Sequence, residues 1–134
     1  MGVWQFLDYI TENHVNPVSE WYQKHLDDDG KAQFDILVKI MSVTEDWDEV
    51  KEKERKYKEL ERDRIGLAQL MFKVKRKNFR PIGLLRRQER KFIFLGGCEK
   101  HPFWTVPPNA FDEALRLKAQ LEQGRGATRE HWSV

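Results

Sequence analysis

The fold is decided by residues 67–101, which read LAQLMFKVKRKNFRPIGLLRRQERKFIFLGGCEKH. Residues 68–74 have the two-residue period of a β-strand. One face of that strand holds Ala68, Leu70, Phe72 and Val74, and the other holds Gln69, Met71, Lys73 and Lys75. Residues 79–85 predict a second strand that begins near Arg80. Residues 91–95 are apolar on both faces, which predicts a central strand covered on both sides.

Positive charge is concentrated in the same stretch. From Lys73 to Lys91 there are nine Lys or Arg residues and one acid, Glu89, so the local net charge is +8, whereas the whole chain carries +2. The nine are Lys73, Lys75, Arg76, Lys77, Arg80, Arg86, Arg87, Arg90 and Lys91. We therefore expect a polyanionic partner to bind this hairpin region.

The bulk composition limits the class of protein. A chain of 134 residues is expected to form one domain. Its 34% charged residues and mean hydropathy of −0.76 exclude a membrane protein. The N-terminus does not have the pattern of a secretory signal, and the single Cys98 cannot form an internal disulfide. These features predict a cytoplasmic protein with a buried, inert thiol.

The first half of the chain predicts a strand and a helical hairpin. The strand covers Val3–Ile10, and Asn16-Pro17 is a typical helix start. The first helix is predicted to end at Asp27–Gly30, where Gly30 supplies the turn, and the second to run from Ala32 to Ser42. Residues 45–63 are compatible with a charged surface helix or with an irregular loop.

The end of the chain predicts a loop, a helix and a tail. Residues 102–108 are expected to form a loop whose Phe103, Trp104 and Val106 fold back on the core. A final helix is predicted over Ala110–Glu122, capped by Asn109, and residues 125–134 are predicted to be a flexible tail. The expected fold is therefore a single α+β domain, in which helices cover one face of a mainly antiparallel sheet.

The sequence contains few residues arranged for catalysis. None of the four histidines has metal-ligand spacing, and no phosphate loop or nucleophile elbow is present, so neither a metal nor a cofactor is predicted. A basic sheet face with His101 at its end could grip phosphates and exchange a proton. The alternative is that the lysines only solubilise the sheet and that His101 is an ordinary surface residue.

Three segments resemble a known family. FRPIGLL around Arg80, LGGCEKH at the end of the third strand and FDEALRLKAQL in the last helix are similar to the RelE/HigB toxin superfamily, in its HigB-like, phage-related branch. The resemblance covers Val3 to Gly124 and implies a RelE-like toxin domain over residues 1–124. It also implies the toxin of a type II toxin–antitoxin system, a metal-independent mRNA endoribonuclease that acts on the ribosome and inhibits translation. The implied partners are ribosome-bound mRNA and a cognate antitoxin.

The resemblance also assigns roles to residues. Lys73 and Lys75 match the residues that hold the mRNA backbone, and Arg80 matches the arginine that steadies the scissile phosphate. Lys100 and His101 match the basic pair after the last strand. The implied catalytic set is Lys73, Lys75, Arg80 and His101. The implied RNA-binding set is Lys77, Arg86, Arg87, Arg90, Lys91 and Lys100.

Two residues depart from the family pattern. Phe111 stands where RelE has a tyrosine that takes part in cleavage, and Met71 stands where the HigB-like branch has an arginine. Either His101 supplies the acid–base function, or cleavage is weak or lost. The alternatives are a non-catalytic module that binds nucleic acid or protein and a ParE-like inhibitor of gyrase.

Overall fold

A mixed β-sheet with helices on both faces forms the fold. The computed structural model describes residues 3–49, 56–60 and 66–132. Its elements are β1 (Gln5–Ile10), α1 (Pro17–His25), α2 (Asp28–Val43), β2 (Tyr57–Glu59), β3 (Leu67–Leu70), β4 (Phe72–Val74), β5 (Lys77–Arg86), β6 (Lys91–Lys100), β7 (Thr105–Val106), α3 (Ala110–Glu122) and β8 (Ala127–Glu130). Residues 47–49 are also helical.

Strand β6 lies near the middle of the sheet. The strand order is β2-β3-β5-β6-β1-β8, with β4 paired to β5 and β7 paired to β6. All pairs are antiparallel except β1 with β6, which are parallel because α1, α2 and the following strands separate them in sequence. The expected α+β class and mainly antiparallel sheet are therefore confirmed.

Two apolar clusters cover the two faces of β6. Phe92 and Phe94 pack on the side of α1 and α2, whereas Ile93 and Leu95 pack on the side of α3. The prediction of a central strand covered on both sides is confirmed. The prediction that helices cover only one face is wrong, because a strand with apolar residues on both faces requires a helix layer on each. We call the two sides the α1–α2 face and the α3 face.

The two N-terminal helices begin at side-chain caps. The Asn16 side chain accepts a hydrogen bond from the Ser19 amide, which confirms the predicted helix start. The predicted turn at Gly30 is wrong. α1 ends before Leu26, Asp27 caps α2 by accepting from the Gly30 amide, and Gly30 lies buried inside that helix. The acidic run stabilises the N-terminus of α2, where the helix dipole favours negative charge.

The segment from residue 45 to residue 63 is helical over residues 47–49 and, against expectation, forms a strand over Tyr57–Glu59. Trp47 is buried at the start of the helical residues 47–49, and Tyr57–Glu59 form β2, which pairs antiparallel with β3. Residues 50–55 and 61–63 lie outside the described residues. The alternation in residues 68–74 is confirmed, since Ala68 and Leu70 are buried on the α1–α2 face with Phe72 and Val74 against them. The strand is interrupted at Met71, whose amide donates to the Lys56 carbonyl.

The loop after β6 does not fold back on the core. Thr105–Val106 form β7, which pairs with Lys100 and Glu99, and this pairing turns the intervening residues outward. Phe103, Trp104 and Val106 are 94%, 56% and 38% exposed, so the prediction that they join the core is wrong. The predicted helix over Ala110–Glu122 is confirmed. Asn109 precedes it in a left-handed conformation, without the expected side-chain cap.

The C-terminal residues are not a tail. Residues 127–130 form β8, an edge strand antiparallel to β1, and His131 is 1% exposed. The segment lacks apolar alternation because all four residues of β8 are exposed, so its place in the sheet comes from backbone pairing and from His131. The predicted flexible tail is therefore corrected for residues 127–132. None of the helices described is long and apolar enough to cross a membrane.

Candidate functional site

A row of polar side chains crosses four neighbouring strands at one end of the sheet. Lys73 of β4 pairs with Asn78 of β5, Asn78 pairs with Lys100 of β6, and Lys100 pairs with Thr105 of β7. Paired residues in antiparallel strands place their side chains on the same face. Lys73 and Lys100 therefore lie on one face, on either side of Asn78.

Arg80 joins this row from two residues further along β5. It pairs with Cys98, which is buried in the α3-side cluster, so Arg80 and the row share the α3 face. Its Nη1 donates to the Phe79 carbonyl at 3.2 Å. Burial lowers the pKa of Arg80, against a smaller opposing effect of Cys98. A guanidinium that is already partly desolvated interacts more strongly with an incoming anion than one in open water.

No acid neutralises these three cations within the described part of the chain. Lys73, Arg80 and Lys100 form no ion pair there, and the Lys100 ammonium donates instead to the His101 carbonyl at 2.6 Å. Lys73 and Arg80 also border a groove of about 500 Å³ whose other wall is formed by α2, so the groove meets the open end from the α1–α2 side. We call Lys73, Arg80 and Lys100 the open-end cations, because they lie where β5 begins and β6 ends.

Lys75 and Lys77 flank the tight turn between β4 and β5. Lys75 adopts a positive φ of 58° in that turn, and its ammonium lies 3.9 Å from Asp27 and 3.8 Å from Asp29. Both contacts are long and exposed, so they neutralise Lys75 weakly. Lys77 is exposed at the first position of β5. Both lysines lie at the edge of the open end, beside the open-end cations but not among them.

The remaining predicted cations lie at the opposite end of the same hairpin. Arg86, Arg87, Arg90 and Lys91 surround the β5–β6 turn. Nine residue steps along β5 separate Lys77 from Arg86, which corresponds to about 30 Å. The single basic strip expected from the sequence is therefore two separate groups, because an extended strand carries its two ends far apart. We call the second group the turn-end cations.

Arg87 is the best-anchored member of the turn end. Its guanidinium donates to Glu59 at 2.9 Å, to Asp48 at 3.0 Å and to the Tyr57 hydroxyl at 2.7 Å. Burial favours the neutral form of Arg87, but the hydrogen bonds with Glu59, Tyr57 and Asp48 outweigh it and raise its pKa. Arg87 therefore holds β2 and the helical residues 47–49 against the hairpin.

The other turn-end cations are also constrained. The Lys91 ammonium lies 3.5 Å from Glu89, and Arg90 has a positive φ of 53° in the turn. The Arg90 carbonyl accepts a hydrogen bond from the Gln5 amide, which ties the turn to β1. The contacts of Arg90 and Lys91 therefore stabilise the turn and its junction with β1.

His101 lies at the open end but faces the other way. Its Nε2 is 2.6 Å from a carboxylate oxygen of Glu99, and its ring stacks on Trp104 with centroids 4.5 Å apart and planes 9° apart. Glu99 pairs with Phe79, which belongs to the α1–α2 cluster. His101 is thus held by a residue of the α1–α2 face, whereas Arg80 and Lys100 lie on the α3 face. The structure therefore places the three cations on one face at the open end, with His101 beside them and engaged by Glu99.

The two positions that depart from the family pattern have different surroundings. Phe111 is buried against the α3 side of the sheet, so it offers neither a polar atom nor an exposed ring to a substrate. Met71 lies at the break between β3 and β4 and lines the groove beside Lys73 and Arg80. Neither residue replaces the charge or the phenol that the resemblance implies.

A second histidine–carboxylate pair was not apparent from the sequence. His131 Nδ1 lies 2.7 Å from Asp8, which also accepts from the Asn16 side-chain amide at 2.9 Å. The other ring nitrogen of His131, Nε2, lacks a partner in the described part of the molecule. The imidazole packs between Phe34, Phe94 and Trp132. This pair fixes the C-terminal segment to β1, and 123 residues separate its members.

Metal ligands do not cluster in the part of the chain that is described. Residues 3–49, 56–60 and 66–132 contain no group of three or more His, Cys, Asp or Glu side chains arranged to hold a metal ion. The candidate site therefore consists of the open-end cations, with the Glu99–His101–Trp104 group beside them.

Three comparisons with known proteins found no relative of the chain. Neither the protein-family models, nor the curated proteins, nor the solved structures contain a match to the chain.

Proposed function

We propose that the protein binds RNA by its phosphate backbone through the open-end cations, and that it acts as the toxin of a type II toxin–antitoxin pair on ribosome-bound mRNA in the cytoplasm. The observation that carries the proposal is the shared face of Lys73, Arg80 and Lys100, which have no acidic partner among the described residues. Cations held on rigid strands and left unneutralised suit a polyanion, because phosphates replace the missing counter-charge.

The toxin assignment rests on the resemblance of three segments to the RelE/HigB superfamily. The three open-end cations, Lys73, Arg80 and Lys100, all match functional positions of that family. A cognate antitoxin would hold such a protein inactive until the antitoxin is removed.

Cleavage of the bound mRNA is the finer part of the proposal. Attack of a 2′-hydroxyl on the adjacent phosphorus breaks the bond to the 5′-oxygen and leaves a 2′,3′-cyclic phosphate and a 5′-hydroxyl. One proton leaves the 2′-oxygen and one reaches the 5′-oxygen. The open-end cations would stabilise the charge that develops on the phosphoryl oxygens. His101, oriented by Glu99, is the imidazole at this end that would serve as the acid or base.

The geometry supports phosphate binding more strongly than proton transfer. His101 Nε2 is engaged by Glu99 and the ring is covered on one side by Trp104. A non-catalytic RNA-binding module is therefore the second candidate function, and the orientation of His101 favours it.

Expression in cells without an antitoxin separates these functions. We expect growth arrest, with new mRNA ends inside translated regions that carry 5′-hydroxyls. Replacing Lys73 and Lys100 by glutamine removes two open-end charges and should abolish the arrest. The matched control replaces Lys39 and Lys24, exposed lysines on α2 and α1, by glutamine and should leave the arrest unchanged.

Other outcomes favour other functions. Arrest with intact mRNA and altered DNA supercoiling would support a gyrase inhibitor. RNA binding without arrest or cleavage would support the binding module. Absence of RNA binding in the purified wild-type protein would overturn the proposal.

A further inference from the structure

The loop between β6 and β7 exposes two aromatic side chains beside the open-end cations. Phe103 is 94% exposed, the highest value among the large apolar residues described, and Trp104 is 56% exposed. Lys100, one of the open-end cations, ends β6 immediately before this loop. Removing these rings from water would be favourable, so their exposure calls for a partner.

The loop is held in place, so the exposure does not come from a loose segment. The His101 amide donates to the Trp104 carbonyl at 2.9 Å, and the Lys100–Thr105 pair closes the loop at its base. The Thr105 hydroxyl donates to the Pro107 carbonyl at 2.6 Å and accepts from the Ala110 amide at 3.3 Å. These bonds connect the loop to the first residue of α3.

The indole of Trp104 is backed on one side. His101 stacks almost parallel to it, with planes 9° apart, and Glu99 fixes the imidazole through a 2.6 Å contact. The imidazole of His101 therefore covers one face of the indole, and the opposite face is the one that remains open to solvent. A flat, rigid aromatic surface of this kind suits a second flat ring.

Single-stranded RNA complements both the open-end cations and the exposed rings of Phe103 and Trp104. Its phosphates match the open-end cations, and its unpaired bases have open π-faces, which a duplex buries by base stacking. A protein partner would also cover exposed aromatics. However, Lys100 at the base of the loop, with Arg80 and Lys73 beyond it on the same sheet face, favours a polyanion that carries aromatic groups.

We propose that Phe103 and Trp104 form a stacking platform for unpaired bases of single-stranded RNA whose phosphates lie on the open-end cations. The inference rests on the proposed RNA binding and deepens it by naming the substrate class as single-stranded. It also gives His101 a positioning role as the support of Trp104.

The test compares two ligands of equal charge. One is a labelled 12-nucleotide single-stranded RNA, and the other is an abasic oligonucleotide with the same number of phosphates. Phe103→Ala and Trp104→Ala should each weaken binding of the RNA by about tenfold, a typical effect of losing one base–aromatic stack. Binding of the abasic ligand should change less than about twofold, because phosphates cannot stack. Trp104→Phe, which keeps a flat ring, should recover most of the affinity.

The control is Val43→Ala, which removes an exposed apolar side chain on α2 that is as exposed, at 58%, as Trp104. It should leave both affinities unchanged, and thermal unfolding of all variants should match the wild type. The platform is overturned if the aromatic variants bind RNA like the wild type, or if they lose affinity for both ligands equally. If the wild type binds neither ligand, both the platform and the proposed function are overturned. If the aromatic variants bind RNA like the wild type but Lys73→Gln and Lys100→Gln weaken binding, only the platform is overturned.

Discussion

The two ends of the β5–β6 hairpin carry similar numbers of cations and use them differently. At the turn end, Arg87 is bound by Asp48, Glu59 and Tyr57, and Lys91 lies close to Glu89. At the open end, Lys73, Arg80 and Lys100 have no acidic partner in the described residues. About 20 to 30 Å of strand separates the two groups.

Local net charge therefore does not by itself identify a binding surface. The +8 of residues 73–91 includes cations that already have acidic partners from distant parts of the chain. A cation with a partner contributes to stability, whereas one without a partner remains available to an anion. We therefore expect substitutions of the open-end cations to change binding, and substitution of the partnered Arg87 at the turn end to change stability.

The largest expected effect is that of Arg80→Ala on RNA cleavage. Loss of its charge beside the phosphate should slow cleavage by about a hundredfold to a thousandfold, the usual scale for one electrostatic contact in a transition state. Single-turnover cleavage of a translated mRNA in a purified translation system measures it. Arg86→Ala, at the other end of the same strand, should cleave at the wild-type rate, and equal losses in both variants would remove the distinction between the ends.

Next comes His101→Gln, which tests the chemistry within the open end. If His101 transfers a proton, cleavage by the bound protein should slow by about a hundredfold, which exceeds any loss of RNA affinity that follows from removing the support of Trp104. Wild-type cleavage by the glutamine variant would show that the reaction rests on positioning and charge alone.

Arg87→Ala should lower stability and leave RNA binding intact. Its network is partly exposed, so we expect a loss of about 1 kcal/mol in the free energy of unfolding and a decrease of a few degrees in Tm. Urea denaturation measures the first quantity. Arg86→Ala should change stability by less than about 0.5 kcal/mol. A tenfold loss of RNA affinity in Arg87→Ala would contradict the structural role of the turn end.

The smallest expected effect is a pH dependence at Tyr57. Burial and the hydrogen bond to Asp48 raise the pKa of this phenol. Its stabilising contribution is therefore complete below about pH 10, the ordinary tyrosine value, and is lost as the pH rises above it. The stability advantage of the wild type over Tyr57→Phe should shrink when denaturation is repeated from about pH 8 to pH 11. An advantage that stays constant would show that the phenol is not protected in the fold.

The hairpin and its flanking elements were predictable because their signals are local. The two apolar faces of residues 92–95 predict a central strand, and Asn16-Pro17 predicts the start of α1. The helical spacing of apolar residues likewise predicts α3. Two-residue alternation also predicts which face Lys73 occupies, once the pairing of β4 with β5 is given.

The partners of the cations were not predictable, because they come from residues distant in sequence. Arg87 bonds to Asp48 and Glu59, which are 39 and 28 residues away. The same holds for His131 and Asp8. β8 has no apolar alternation because it lies exposed at the sheet edge, so a short polar segment there resembles a tail.

The salt dependence of RNA binding tests the distinction between the two ends most directly. The measurement is the slope of log affinity against log salt concentration for a single-stranded RNA. The double variant Lys73→Gln/Lys100→Gln is compared with Arg87→Gln/Lys91→Gln, which removes the same charge from the two turn-end positions that have acidic partners. The account predicts that the open-end variant flattens the slope by about 1.4 units, since each phosphate contact of a single strand contributes about 0.7. The turn-end variant should keep the wild-type slope, and equal flattening by both variants, or more by the turn-end variant, would contradict the account.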